Sequence, residues 1–557
     1  MKRLTQFVST GLLVPATLTL LAACGGGGGG GNDSILAVAD DIPVPVNREF
    51  IAGQFLPSSD FKDFCADPRT GAEFNDVLGT RLDENQWLRS FSNETYLWYN
   101  EIVDLYPADF QTDEYFELMR TNEVTDSGKP KDQFHFSIDT EEFTALSESG
   151  TVIGYGVELA ILDPLPPREI IVAFTEPNSP ATAEDVNLPR GSRILEVDGR
   201  DAINGNTRST VKKLNEALFP TKIGEEHDFL IVDGVTGELR EITMTSAAVV
   251  TDPVQNVKVV GSLAGPVGYL TFNSHIDTAE AELFDAMTTL EAAGVNELVL
   301  DMRYNGGGLL LIANQLAAMI AGPAAASGHV FEDLVFNDKN RVFDPITGAP
   351  NQPDFFMQTT FGRGDSEPGR VLPALNLNRV FVLSGLGTCS ASESIINGLR
   401  GIGVEVVLIG ETTCGKPFGF YPVDNCGTTY FTVQFQGVNE LGFGDYADGF
   451  SPANATSSTG VSIPGCEIPD DFTAPLGSPF EARFSAALTY IEDGVCPVTD
   501  LGILSNSDLK KKSGDQTEVS KTTSNNAVPA SVGEGLAIDA GPSLRMPGSV
   551  RTRAGSF

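Results

Sequence analysis

The chain of 557 residues is long enough for roughly three or four domains. Its 36 basic against 75 acidic residues leave a formal net charge of −39, a surface that repels nucleic acid and anionic headgroups and excludes both as partners. Four scattered histidines and seven cysteines, with neither C-x-x-C nor H-E-x-x-H spacing, argue against a zinc site, and no other cofactor is called for.

The first residues address the compartment. Lys2 and Arg3 precede an apolar stretch, 7–21, which is too short and too interrupted by Ser9, Thr10, Pro15 and Thr17 to span a bilayer. Leu21-Ala22-Ala23-Cys24 closes it, so residues 1–23 read as a cleaved signal peptide. The segment resembles a bacterial lipobox, which implies an acylated Cys24 and a product anchored to the membrane in the cell envelope. Gly25 behind the cysteine points, by the same resemblance, to the outer membrane and its periplasmic face. The glycine run 25–31 and the Pro/Val/Asp-rich stretch to residue 48 complete a flexible tether.

From 49 to 148, aromatic residues recur at helical spacing (Trp87, Phe91, Tyr96, Trp98, Tyr99), as in a small helical domain with an aromatic core. From 149 to 250 the texture turns β-rich. Residues 152–153 lead into Gly154-Tyr155-Gly156-Val157, followed by strands at 170–174 and 193–199, a helix over 211–218 and two further strands. From 251 to 499 strands and helices alternate. Strands are predicted at 267–272, 297–302, 379–383 and 404–409, and helices at 278–293, 309–321 and 391–399. Such alternation predicts an α/β fold with a mainly parallel sheet and crossover connections. Residues 500–557 are rich in Ser, Lys, Thr, Asn and Gly, the composition of a disordered tail.

Three motifs follow strands of the α/β region. Gly306-Gly307-Gly308 lets backbone amides approach a bound group, although a plain strand-to-helix turn would use the same residues. Ser390 stands at the start of the helix over 391–399, where free N–H groups could receive an oxyanion. Ser390-x-x-Glu393 fits a capping box equally well. A serine nucleophile needs a base, and no histidine lies in a comparable context. Lys416, beyond the strand over 404–409, is the candidate, provided burial lowers its pKa toward neutrality; alone, it would read as a solvated surface charge. Among the cysteines, Cys466 and Cys496 flank a predicted helix with apolar Phe480, Phe484, Ala487 and Leu488, and are expected to pair. Cys389 touches Ser390 and is expected to remain a free or buried thiol, because a bridge there would constrain the nucleophile.

In combination the motifs resemble the tail-specific, or C-terminal processing, serine peptidases. The matching residues are Asp301-Met302-Arg303-Tyr304-Asn305-Gly306-Gly307-Gly308, then Ser390-Ala391-Ser392-Glu393, then Gly410-Glu411-Thr412-Thr413-Cys414-Gly415-Lys416, and Asp448 to Pro452 is similar to a later motif. The resemblance covers about 49–499 and implies a crotonase-like catalytic domain. It makes Ser390 the nucleophile and Lys416 the general base, with Glu393 orienting the lysine. The amides of Ala391 and of Gly307 or Gly308 would form the oxyanion hole. Two departures stand out: Phe420 replaces a polar residue that many members have four beyond the lysine, and Gly401 replaces a catalytic Asp of some members. The region 149–250 resembles a PDZ domain, which implies that Gly154, Tyr155, Gly156 and Val157 bind a peptide's C-terminal carboxylate while its chain adds a strand to the sheet edge. The implied function is endopeptidase action on polypeptides engaged through their C-terminal tails, with any adaptor protein unidentified. The competing readings are a non-catalytic peptide-binding scaffold lipoprotein, which requires a decayed pair, and an acyl-CoA enzyme, which an envelope location disfavours.

Overall fold

The computed structural model describes residues 49–456, 459–497 and 549–550. The signal peptide, Cys24, the glycine tether and nearly all of the predicted tail lie outside the described residues. Among the described residues no helix is long and apolar enough to cross a membrane.

One six-stranded sheet organises the α/β region, in the order Val254–Ser262, Gly265–Phe272, Glu297–Asp301, Arg379–Ser384, Glu405–Gly410, Gly465–Glu467. The first two strands are antiparallel and every later pair is parallel. Parallel neighbours require crossovers, which the helices Ala279–Ala292, Leu310–Ala321 and Ala391–Gly401 help to make. Side chains alternate across the strands. Leu298, Leu300, Val380, Val382, Val406 and Leu408 enter one core with Leu283, Leu316 and Ile395 of those helices. Val299, Phe381, Leu383, Val407 and Ile409 enter a second core on the opposite face, under Phe484 and Ala487 of the helix Ala482–Asp493. Burial on both faces explains why these strands read as unbroken apolar runs; each such side chain contributes about 1.5–3 kcal/mol. Phe480 differs from expectation: it lies ahead of the last helix and is 89% exposed.

Residues 49–148 hold an aromatic core on the helix Arg81–Thr95, whose N-terminus is capped by Thr80 through the amide of Asp83. This region is knitted into the remainder of the chain. Its strand Phe136–Asp139 pairs antiparallel with Thr428–Phe431, Trp87 packs on Tyr430 at 5.3 Å between ring centroids, and Cys65 is disulfide-bonded to Cys426.

The β-rich region opens and closes on one antiparallel pair, Thr151–Gly154 with Ala247–Val250. Between them lies a sheet ordered Leu239–Thr245, Glu226–Val232, Arg193–Val197, Glu169–Thr175, Val157–Asp163, so that Val157–Asp163 forms an edge. A further sheet runs Asp354–Phe355, Val330–Phe336, Phe435–Val438, Phe418–Phe420, Ser549–Val550.

Candidate active site

Three parallel strands end on one side of the central sheet: Glu297–Asp301 leads to the glycine loop, Arg379–Ser384 to Ser390, and Glu405–Gly410 to Lys416. Crevices at the carboxyl ends of such strands are where α/β folds place their ligands.

The glycine loop is held from below by buried charge. Arg303 is fully enclosed; its Nε and Nη2 donate to Asp301 at 2.9 Å each, and its Nη1 donates to Asp470 at 2.7 Å and Glu481 at 2.8 Å. Burial alone would raise the carboxyl of Asp470, but Arg483, Arg303 and Arg190 together outweigh it and hold that carboxyl low. Above this network the amide of Gly307 donates to Asn305 Oδ1 at 2.9 Å. The amides of Gly308 and Ala391 have no partner among the described residues. Gly307 has φ +103°, and a Cβ there would lie 2.9 Å from Ser390 Cβ and 3.0 Å from the Ala391 nitrogen. Only glycine leaves the space over the Ala391 amide open.

Ser390 turns the chain from loop into the helix Ala391–Gly401 with φ +60° and ψ −115°. A non-glycine residue in such a conformation costs on the order of 1–3 kcal/mol, and such strain gathers at functional sites. Its amide donates to Glu393 Oε2 at 2.9 Å, the return half of a capping box. A capping role alone does not account for what else Glu393 binds. The same Oε2 accepts from the Lys416 amide at 2.8 Å, and Oε1 accepts from the Gly415 amide at 2.9 Å and the Thr413 hydroxyl at 2.5 Å. Thr413 Oγ1 in turn accepts from the Phe450 amide at 2.8 Å, which ties in the motif at Asp448 to Pro452. Glu393 is fully buried, and desolvation raises its pKa against the pull of these donors.

Lys416 is 2% exposed. Its Nζ lies 4.0 Å from the ring centroid of Phe420 and 4.8 Å from that of Phe134. Burial pushes the ammonium down to about 7, against opposing pulls from Asp132 and Glu393. The aromatic residue that departs from the family pattern, Phe420, is thus one wall of the lysine's enclosure. The other wall and the opposing carboxylate come from the N-terminal region, in which the sequence suggested only a core. Asp132 accepts from the Tyr96 hydroxyl at 2.7 Å and from the Phe134 amide at 2.9 Å.

Cys389 is a correction. It is disulfide-bonded to Cys414, so the residue before Ser390 is joined to the loop before Lys416. The bridge is compatible with the site because Glu393 already fixes both loops in register. Cys466 pairs with Cys496 as expected. Gly401 ends the helix that Ser390 begins, about 16 Å away along its axis, too far for any side chain to join the site. His135 is committed to the Phe116 carbonyl at 2.8 Å and His275 to Asn305 Oδ1 at 3.0 Å; burial holds them neutral, at about 4 and about 3.

In the β-rich region, Tyr155 is buried with its hydroxyl on the Ala217 carbonyl at 3.0 Å. Gly154 ends one strand, Val157 begins the edge strand, and Gly156 between them adopts φ +72°.

A serine at a helix start and an enclosed lysine thus both lie past the ends of the parallel strands of an α/β layer. Residues 266–424 match the model of peptidase family S41. The chain is 25% identical over 278 residues to a carboxyl-terminal-processing protease of Picosynechococcus, covering 50% of this chain and 58% of that protein. It is 26% identical over 325 residues to a chloroplastic C-terminal processing peptidase of Tetradesmus obliquus, covering 56% and 60%. The chain therefore spans less than two thirds of the length of these relatives. A crystal structure of an S41 protease from Bacteroides fragilis shares the fold, with a TM-score of 0.55 and 24% identity over 77% of this chain and 100% of the other.

Proposed function

We propose that the chain is a serine endopeptidase of the bacterial cell envelope, cutting polypeptides that it engages through their C-terminal tails. Ser390 is the nucleophile and Lys416 the general base. Neutral Nζ takes the hydroxyl proton as Oγ attacks the scissile carbonyl carbon. The oxyanion is received by the amides of Ala391 and Gly308, Gly307 being already committed to Asn305. The lysine then passes the proton to the leaving amine, and an acyl ester remains on Ser390. Water, deprotonated by Lys416, attacks the ester and releases the acid. Glu393 acts through the backbone as a positioning residue.

The observation that carries this reading is that a lysine only 2% exposed shares one carboxylate oxygen with a serine held at positive φ. The α/β layer is read as crotonase-like and residues 149–250 as PDZ-like. In that module the edge strand Val157–Asp163 accepts a peptide strand, and the loop Gly154 to Val157 takes its carboxylate. Acylated Cys24 anchors the product to the membrane, at the outer membrane facing the periplasm, and three disulfides among the described residues support an oxidising compartment. A fluorophosphonate serine probe tests the chemistry: it should label the wild type and not Ser390→Ala. Equal labelling of both, or of neither, would overturn the assignment.

A further inference from the structure

The strand Gly265–Phe272 lies parallel to the one that leads into the glycine loop, and the chain just past its end brings His275 against that loop. His275 is fully buried and forms one isolated parallel bridge with Gly308. Its amide donates to the Gly307 carbonyl at 3.1 Å, and its carbonyl accepts from the Leu309 amide at 2.8 Å. In such a bridge the central residue's own N–H and C=O face the other way, so the Gly308 amide is turned from His275. A Cβ on Gly308 would run into the His275 carbonyl oxygen, so the two backbones are in direct contact.

The side chain adds a second hold, through Asn305. Its Oδ1 accepts from the Gly307 amide at 2.9 Å, and its Nδ2 donates to the Phe272 carbonyl at 2.9 Å. An amide N–H only donates and a carbonyl only accepts, so these neighbours fix which way the Asn305 side chain points. His275 Nδ1, 3.0 Å from Oδ1, must then carry the ring proton and donate it. The Asn305 carbonyl accepts from the Cys389 amide at 3.0 Å and the Ser392 hydroxyl at 3.1 Å, which joins this bond to the turn that carries Ser390. Burial keeps the imidazole neutral, at about 3, so the donor is present wherever Lys416 can act as a base.

We propose that His275 is a positioning residue for the oxyanion hole: through Asn305 and the backbone on either side of Gly308, it sets where the Gly308 amide stands relative to Ser390. The inference rests on the peptidase reading of the site, and its test separates the two. A histidine that only filled the core would tolerate any side chain of its size, whereas a positioning one needs a donor at Nδ1.

Three full-length variants make that distinction. His275→Asn keeps a side-chain N–H near the Nδ1 position, His275→Gln moves it one bond further out, and His275→Leu removes it. On a quenched fluorescent peptide, the Leu and Gln variants are expected to lose about ten- to hundredfold in kcat with KM within about twofold, and the Asn variant to stay within about threefold of the wild type. A peptide aldehyde reports on the hole directly. Its carbonyl carbon bonds Ser390 Oγ, its oxygen becomes the oxyanion, and the hydroxyl proton passes to Lys416. Its affinity should fall in the Leu and Gln variants by the same factor as kcat, while the unreactive alcohol of the same peptide binds all four proteins alike. The midpoint of the pH–activity curve should not move, because His275 is not the base. Equal kcat in all four proteins, or a loss in the Asn variant as large as in the Leu variant, overturns the positioning role and leaves the peptidase intact. If the Leu variant does not fold, the Gln and Asn variants decide in the same terms. If the wild type hydrolyses no peptide, the catalytic reading fails and the brace is judged by hydrogen exchange over residues 303–309. Faster exchange in the Leu and Gln variants than in the wild type and the Asn variant upholds it, and equal exchange removes it.

Discussion

Ser390 and Lys416 donate their backbone amides to a single oxygen, Oε2 of Glu393, at 2.9 and 2.8 Å. The two residues come from different strand-to-loop units, so this shared acceptor sets the register between the proposed nucleophile and base. The Cys389–Cys414 disulfide repeats the connection covalently, one residue before the serine and two before the lysine.

Replacing Ser390 by Ala or Lys416 by Met should each lower kcat by roughly four orders of magnitude or more, with the fold retained. The double variant should be no slower than either single one, because the two side chains act as one unit. Additive losses measured in steady-state assays would mean that they do not.

The enclosed lysine predicts opposite pH effects on activity and on stability. Activity should rise as Lys416 loses its proton, with a midpoint near the value of about 7 set by burial. The folded protein binds this proton less readily than the unfolded chain, in which the ordinary value of 10.5 applies. Burying the lysine therefore costs stability fully below pH 7, on the order of 5 kcal/mol, and the cost fades as pH rises toward the unfolded value. Lys416→Met should accordingly raise the unfolding free energy at pH 6 and lose most of that advantage by pH 10.5. Denaturant titrations at the two pH values measure the difference.

Glu393→Gln keeps the shape but replaces one of two acceptor oxygens by a donor, facing amides and a hydroxyl that also donate. The expected result is a fall in kcat of about a hundredfold or more and a loss of about 2–4 kcal/mol of stability. A purely structural role would stop there. Because the Glu393 charge holds the lysine's pKa up, its removal should also move the midpoint of the pH–activity curve to lower pH. An unmoved midpoint would show that the carboxylate has no electrostatic hold on the base.

Gly307→Ala should abolish hydrolysis. The new methyl would sit 3.0 Å from the Ala391 nitrogen and 2.9 Å from Ser390 Cβ, in a backbone conformation that L residues avoid. A fluorophosphonate also needs the oxyanion hole, so its labelling of Ser390 should fail in parallel. Normal labelling by the probe would place the oxyanion elsewhere.

The parts of this site that lie on consecutive residues were legible in the sequence. The strand-then-motif order for Gly306 to Gly308, Ser390 and Lys416 follows from apolar runs and glycine punctuation, and the strands and helices fall within a few residues of expectation. What was not legible came from residues distant in the chain. Phe134 and Asp132 look like any buried aromatic and any carboxylate until the pairing of Phe136–Asp139 with Thr428–Phe431 carries them to Lys416. Phe420 read as a departure from a pattern, although its ring is one of the two aromatic walls that enclose the lysine. Cys389 was expected to stay free because a bridge would constrain the nucleophile, but the sequence does not show that Glu393 already fixes the two loops which the Cys389–Cys414 bridge joins. Ser390's positive φ has no signal in residue identity at all.

The pairing of Phe136–Asp139 with Thr428–Phe431 has a consequence for biogenesis. Lys416 is desolvated partly by Phe134, which reaches it only once that pairing exists, and the Cys65–Cys426 bridge closes over a separation of 361 residues. In a chain still emerging or misassembled, the lysine is hydrated, and at its ordinary pKa roughly one in three thousand is neutral at pH 7. The neutral form of the lysine therefore depends on contacts between residues far apart in the chain. Until those contacts exist, the proposed base stays protonated and cannot accept the proton of the proposed nucleophile.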